Sequence, residues 1–438
     1  MKAVLLTAVT TLVLASVAQA APLLQRSQVR IDGMKLTFAD TGQTLTIAPL
    51  EVKHHEMTGT LKVLQPTWRD GLYLAGPAWR FRSLRAASLV ATLAEQPDVR
   101  LAEGRDYVVN TDWATIGAVE GGRIGPDTKV KFAYDYTLTR LDLVQRGPDG
   151  RYSVVAGQED RTQPMLPRPA DGCTAVMGVY LAPDTTALTE ANLNIIDPAC
   201  TGVPPVAGEA ALEAVKAKLA AGEPATIVFF GDSITAQQPK DFRDGKGSFV
   251  DRFAAYLQER FSDRQVVATQ LTQVVRPTGS QIVVVKSGQG GCDTQGALER
   301  LDGEVLAHDP DLVIILFGAN DENRRAGTNQ NMVPPAQYAS NLTTMVRRCR
   351  EAGAAVILLT PAMKNLGWTS TVGNMAEYAA AARRVGAAEG TCVVDSFQVW
   401  EDLPKLGYNY MIPLATCLNH PVDMGHEIFL KGLKAAME

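Results

Sequence analysis

Histidine is scarce in this chain, with five residues in 438: His54, His55, His308, His420 and His426. Any chemistry that needs an imidazole has few places to reside. Cysteine is also sparse. None of the six forms a C-x-x-C pair, which removes the usual support for structural zinc or thioredoxin-like exchange. Excess positive charge is missing as well: 42 Lys and Arg stand against 47 Asp and Glu, a net charge of −5, so no global field gathers a phosphate backbone and nucleic acid is not an expected partner. No apolar run long enough to span a bilayer follows the N-terminal segment, so no membrane span is expected in the mature chain. What is present, 46% hydrophobic and 20% charged residues, fits a globular chain of two or three domains.

The first residues read as an export signal. Lys2 precedes an apolar stretch from Ala3 to Val17, and Ala18-Gln19-Ala20 supplies a small-x-small cleavage site. Cleavage near Ala20 makes the mature protein secreted or periplasmic. Its six cysteines then face an oxidising compartment, where an even number permits disulfides in fifteen pairings.

Two halves follow with different periodicities. Residues 21–205 carry short alternating segments such as Lys35-Leu36-Thr37-Phe38 and Tyr152-Ser153-Val154-Val155, separated by turn formers such as Asp70-Gly71 and Gly147-Pro148-Asp149-Gly150, the pattern of an antiparallel β-sandwich. His54-His55-Glu56 falls here and reads as a solvated turn or strand edge rather than a metal cluster. After the Pro- and Gly-rich stretch Cys200–Pro205, residues 206–438 alternate helices with short apolar strands. The strands are expected at 226–230, 281–286, 312–317, 355–360 and 392–395, an order that specifies βαβ crossovers and a parallel sheet covered on both faces. Ligands of such sheets bind beyond the carboxyl ends of the strands.

Polar and glycine-rich corners lie at those ends. Gly231-Asp232-Ser233 puts a serine hydroxyl in a tight strand-to-helix turn, where a nucleophile would stand. Ser287-Gly288-Gln289-Gly290-Gly291-Cys292 is a turn that backbone lets a ligand approach closely. Gly318-Ala319-Asn320-Asp321 offers an amide donor at the same rim. A serine nucleophile needs a base. His54 and His55 lie in the β-rich half and His308 at the entry of a strand, which leaves His420 as the candidate, with His426 as the alternative because Asp423-Met424-Gly425-His426 has an Asp-x-x-His spacing of its own.

Taken in order, Gly-Asp-Ser, the glycine turn, Gly-Ala-Asn-Asp and His420-Pro421-Val422-Asp423-Met424-Gly425-His426 resemble the four blocks of the SGNH hydrolases, also called GDSL esterases and lipases, over about residues 226–434. The resemblance implies a flavodoxin-like three-layer α/β/α fold, Ser233 as nucleophile, His420 as general base, and an oxyanion hole built from the Ser233 and Gly291 N–H groups and the Asn320 side chain. Asp232, Gly288 and Asp321 would support the loops, and no metal or organic cofactor is called for. Two positions depart from the family pattern: Lys286 stands where an asparagine is usual, and Cys417 stands three residues before the histidine, where an aspartate is usual. A thiol is a poor substitute for the carboxylate that holds the imidazole tautomer. The alternatives are a dyad oriented by a backbone carbonyl, service by Asp423, or low activity.

Expected positions on the fold sort the cysteines into Cys173 with Cys200, Cys349 with Cys392, and Cys292 with Cys417, the last pair stapling the histidine loop. The expected activity is hydrolysis of short acyl esters, acetyl in particular, on an acylated small molecule or glycan. A lipase, lysophospholipase or thioesterase is the alternative enzyme, and a glycan-binding protein with a decayed hydrolase site the alternative of another class.

Overall fold

The computed structural model describes residues 23–67, 70–74, 81–270, 274–415 and 418–438. The expected signal segment and Cys417 lie outside the described residues.

The second half is built on a seven-stranded sheet with strands β1 (Val206–Ala207), β2 (Ala225–Gly231), β3 (Val266–Gln270), β4 (Ile282–Gly288), β5 (Leu312–Leu316), β6 (Ala355–Leu359) and β7 (Cys392–Val394), in the order β1-β7-β6-β5-β2-β4-β3. All neighbours are parallel except β1, which pairs antiparallel with β7. The central strands are continuous apolar runs because both faces are covered. Ile227 and Phe229 enter one core with α1 (Glu213–Ala220), α3 (Phe249–Arg260) and α8 (Asp423–Met437). Val228 and Phe230 enter the opposite core with α4 (Thr294–Glu304), α5 (Pro335–Glu351) and α6 (Met375–Glu389). From β2 the chain passes to the edge strand β3, returns to β4 beside β2, and then crosses to β5 on the other side of β2. That reversal opens a crevice at the strand ends, the binding position in doubly wound sheets.

The N-terminal half departs from the single sandwich expected of it. It holds two separate hydrophobic cores. One packs the sheet of Val29–Asp32, Lys35–Phe38 and Thr44–Thr46 against the sheet containing Arg140–Arg146 and Thr174–Leu181. The other packs the sheet containing Lys53–Thr60, Leu84–Leu93 and Lys129–Tyr136 against the short sheet of Leu72–Tyr73, Tyr107–Asn110 and Thr115–Ala118. The second unit is thus inserted into the first. Alternation along each strand is the same in either arrangement, so strand spacing did not separate them.

The described cysteines are free, contrary to the expected disulfides. Cys349 is buried in the core on one face of the parallel sheet and Cys392 in the core on the other, so the sheet separates them. Cys173 precedes the strand Thr174–Leu181. Cys200 follows a partner strand that ends at Ile195, beyond which the Asp197 N–H turns away to the Lys405 carbonyl. Cys292 is buried with its sulfur 3.2 Å from Arg300 Nη1.

Candidate active site

The loops at the ends of β2, β4 and β5 meet at the crevice. Asp232 caps the short helix α2 (Ser233–Ala236), its Oδ1 accepting the Ile234 N–H at 2.8 Å, and this places Ser233 on the first turn with its side chain half-exposed. Gly288 is required for space rather than torsion: a Cβ there would stand 2.5 Å from the Ala236 nitrogen, where the end of β4 backs against the serine turn. Gly291 does need glycine's torsional freedom, with φ +76°, and a Cβ there would meet open space within the cleft.

His420 arrives from the loop before α8. The loop is closed by the Ala415 N–H on the His420 carbonyl at 2.7 Å and tied to the β6 side by the Asn365 N–H on the Leu418 carbonyl at 2.8 Å. Its Nε2 lies 2.8 Å from Ser233 Oγ, and its Nδ1 lies 2.8 Å from Asn419 Oδ1. Asn320 sits across the cleft, donating from Nδ2 to the Cys292 carbonyl at 3.0 Å and reaching Asp232 Oδ2 only at 3.4 Å. The second contact is too long to be strong, which leaves that N–H available for redirection to an anionic oxygen. Ser233, Gly291, Asn320 and His420 all line one cleft of about 730 Å³.

Other expected participants stand apart. His426 is fully buried; its Nδ1 accepts the Phe249 N–H at 2.8 Å, which leaves Nε2–H to donate to Gln237 Oε1 at 2.9 Å. Burial holds its pKa well below the usual histidine value, and it packs the core as a neutral ring. Asp423 does not serve His420, since its carboxylate is engaged by Arg252 at 3.3 Å and by a side-chain hydrogen bond with Asp244. Lys286, in place of the usual asparagine, pairs with Asp251 at 2.7 Å and donates to the Gln237 carbonyl at 2.8 Å.

Below the cleft floor lie buried acids. Asp232 is pushed up to about 7 by burial and Asp321 to about 6 by the same cause. Asp321 Oδ1 accepts from the Thr294 N–H at 3.0 Å and from the Thr294 hydroxyl, while its Oδ2 is buried without a hydrogen-bond donor. Both carboxyls bind protons more tightly folded than unfolded. Their contribution to stability is therefore fully present below the ordinary value of 3.8 and is lost as pH rises through about 6 to 7. Asp321→Asn keeps an acceptor for Thr294 and removes the charge. Its unfolding free energy should fall less between pH 4 and pH 7.5 than that of the wild type, by on the order of 2 kcal/mol, in urea titrations at each pH. Parallel curves would contradict the assignment.

Several contributors were not anticipated. Lys364, buried just past β6, pairs with Glu322 at 2.6 Å and donates to Asn323 Oδ1 at 2.8 Å. Glu322 also accepts the Gly373 N–H at 2.6 Å, so the Asn320 loop and the 364–374 loop are locked together. The inserted β-unit reaches the site too. Thr67, Asp70, Asn110 and Trp113 form one wall of the cleft, and Trp113 packs with Phe81, Trp368 and Leu418. A lone charge in the corner Thr360-Pro361-Ala362-Met363-Lys364 that follows an apolar strand was a readable signal for Lys364; nothing local marked the wall residues.

Fold and site together define an α/β protein with a serine–histidine pair at a sheet switch point. Residues 229–428 match the model of the GDSL-like Lipase/Acylhydrolase family. Among curated proteins the chain is 31% identical over 134 residues to Esterase TesA of Pseudomonas aeruginosa, a match covering 31% of this chain and 53% of that protein. It is 33% identical over 81 residues to an arylesterase of Vibrio mimicus, covering 18% and 37%. The chain therefore spans about half the length, or less, of these relatives. Among solved structures, an acetylxylan esterase from Geobacillus stearothermophilus aligns at 19% identity and TM-score 0.39, covering 49% of this chain and 94% of that one.

Proposed function

We propose that the protein is a serine esterase of the exported class expected from residues 2–20, with Ser233 forming a covalent acyl-enzyme. The observation that carries the reading is the 2.8 Å contact between His420 Nε2 and Ser233 Oγ. His420 takes the hydroxyl proton as Oγ bonds to the ester carbonyl carbon. The oxyanion is met by the Ser233 and Gly291 N–H groups and Asn320 Nδ2, and the protonated imidazole then delivers its proton to the departing alkoxide. Water repeats the sequence to release the acid. An intact pair of this kind supports an active site over a decayed one.

The ester we propose is a short acyl group, acetyl in particular, on a carbohydrate. Support comes from the cleft wall: Asp70, Asn110, Asn323, Arg324 and Ser370 offer hydrogen bonds, and Trp113 and Trp368 offer apolar faces, a combination suited to a polyhydroxylated alcohol. On this reading the inserted β-unit, whose strands run from Lys53–Thr60 to Lys129–Tyr136, is part of the substrate site. Release of acetate from acetylated oligosaccharides, set beside a p-nitrophenyl ester series, tests it: rates should be highest at acetate, and a maximum at long chains favours a lipase instead. Asp70→Ala should raise KM on the oligosaccharide about tenfold, the scale of one lost hydrogen bond, and leave kcat/KM on p-nitrophenyl acetate within twofold. Equal effects on both substrates would exclude Asp70 from the alcohol side.

A further inference from the structure

A serine–histidine site works only if the imidazole nitrogen remote from the serine keeps its hydrogen, and a fixed acceptor is what keeps it there. The expected carboxylate is absent from the sequence at position 417, and Asp423 is held by Arg252. Asn419 supplies an acceptor, its Oδ1 lying 2.8 Å from His420 Nδ1. A carboxamide oxygen carries no hydrogen, so this bond exists only with the proton on Nδ1. Neutral imidazole then presents a bare Nε2 to the Ser233 hydroxyl, the tautomer a general base requires.

We propose that Asn419 is the positioning residue of this site, a carboxamide that fixes the His420 tautomer from the immediately preceding position in place of an acid. The proposal rests on the esterase reading. In the step itself the Ser233 proton moves to Nε2 as Oγ bonds to the acyl carbon, Nδ1–H stays where it is, and the leaving oxygen receives the Nε2 proton; no proton passes to Asn419. Backbone ties on both sides, Leu418 N–H to the Ala415 carbonyl at 3.0 Å and Val422 N–H to the Pro413 carbonyl at 2.8 Å, restrain the loop so that adjacent side chains can hold this geometry. A neutral dipole stabilises imidazolium less than a carboxylate does, so the arrangement trades some rate for a site without a buried charge beside the base.

The test uses the full chain with Asn419→Ala and Asn419→Asp, assayed on p-nitrophenyl acetate. Asn419→Ala should lower kcat by about 10- to 100-fold with KM within twofold, and slow Ser233 labelling by a fluorophosphonate by the same factor. Asn419→Asp should keep at least a tenth of wild-type kcat and move the acidic limb of the kcat/KM profile up by about one pH unit, because a carboxylate beside Nδ1–H favours imidazolium. The ionisable groups facing His420 from the surrounding elements, Asp70, Asp293 and Arg324 in the cleft, Arg161, Lys240, Asp241, Arg243 and Asp423 behind the loop, and the buried His426, are unchanged by the substitution, so the shift reports the new carboxylate. Asn419→Ala activity within threefold of wild type, or an unmoved limb in Asn419→Asp, overturns the assignment. Nitrogen NMR of His420 gives a readout independent of turnover: the Nδ1-protonated tautomer in the wild type, lost in Asn419→Ala, supports it, and an Nε2-protonated wild type refutes it. A wild type that neither hydrolyses esters nor labels at Ser233 sinks the esterase reading, while the NMR outcome still decides the role of Asn419.

Discussion

Replacing Ser233 by alanine should lower kcat on the proposed acetyl esters by about 10⁴-fold or more, with little change in KM or in thermal stability. The size follows from what is removed and what remains. Alanine deletes the only atom that can become the acyl carrier, whereas the Gly291 and Asn320 donors and the cleft walls are untouched and still bind the ester and stabilise attack by water, which sets the residual rate. Stability should hold because Ser233 occupies the first turn of a helix capped by Asp232, not by its own hydroxyl, and alanine suits that position. Steady-state kinetics together with a melting curve check both halves of the expectation. A loss under tenfold would mean that Ser233 does not carry the acyl group.

The second large effect separates the two C-terminal histidines. His420→Ala should cost about 10³-fold or more in kcat and leave the melting temperature nearly unchanged, since the ring stands half-exposed at the cleft. Added imidazole should restore part of the rate by entering the space left behind. His426→Ala should do the reverse. Its ring is fully buried against Phe249, Phe242 and Phe429 and satisfies the Phe249 N–H, so the variant loses on the order of 2–4 kcal/mol of stability through a cavity and an unpaired donor, while kcat of the folded fraction stays within about tenfold. A His420→Ala enzyme with undiminished kcat would require another base.

The strands that carry the site were legible because each is a continuous apolar run bounded by a polar corner. The segment expected at 226–230 forms as Ala225–Gly231, and that expected at 312–317 as Leu312–Leu316. The edge strand Val266–Gln270 escaped notice because its residues are only partly covered and carry no strong apolar signal. Ser233, Gly291, Asn320 and His420 were likewise readable, each beside a recognisable turn or in a chain with few competing imidazoles.

Local sequence therefore determined which segments become strands and helices and which residue types stand at their ends, because hydrophobic periodicity and turn chemistry act over a few residues. Only the tertiary structure decided which histidine meets the serine, that the Asn419 side chain lies against the far nitrogen of that histidine, that Cys349 and Cys392 lie on opposite faces of a sheet, and that an inserted β-unit walls the cleft. Each of those depends on the relative direction of side chains brought together from distant parts of the chain. Distance and orientation across such a fold are fixed by packing, not by spacing along the backbone.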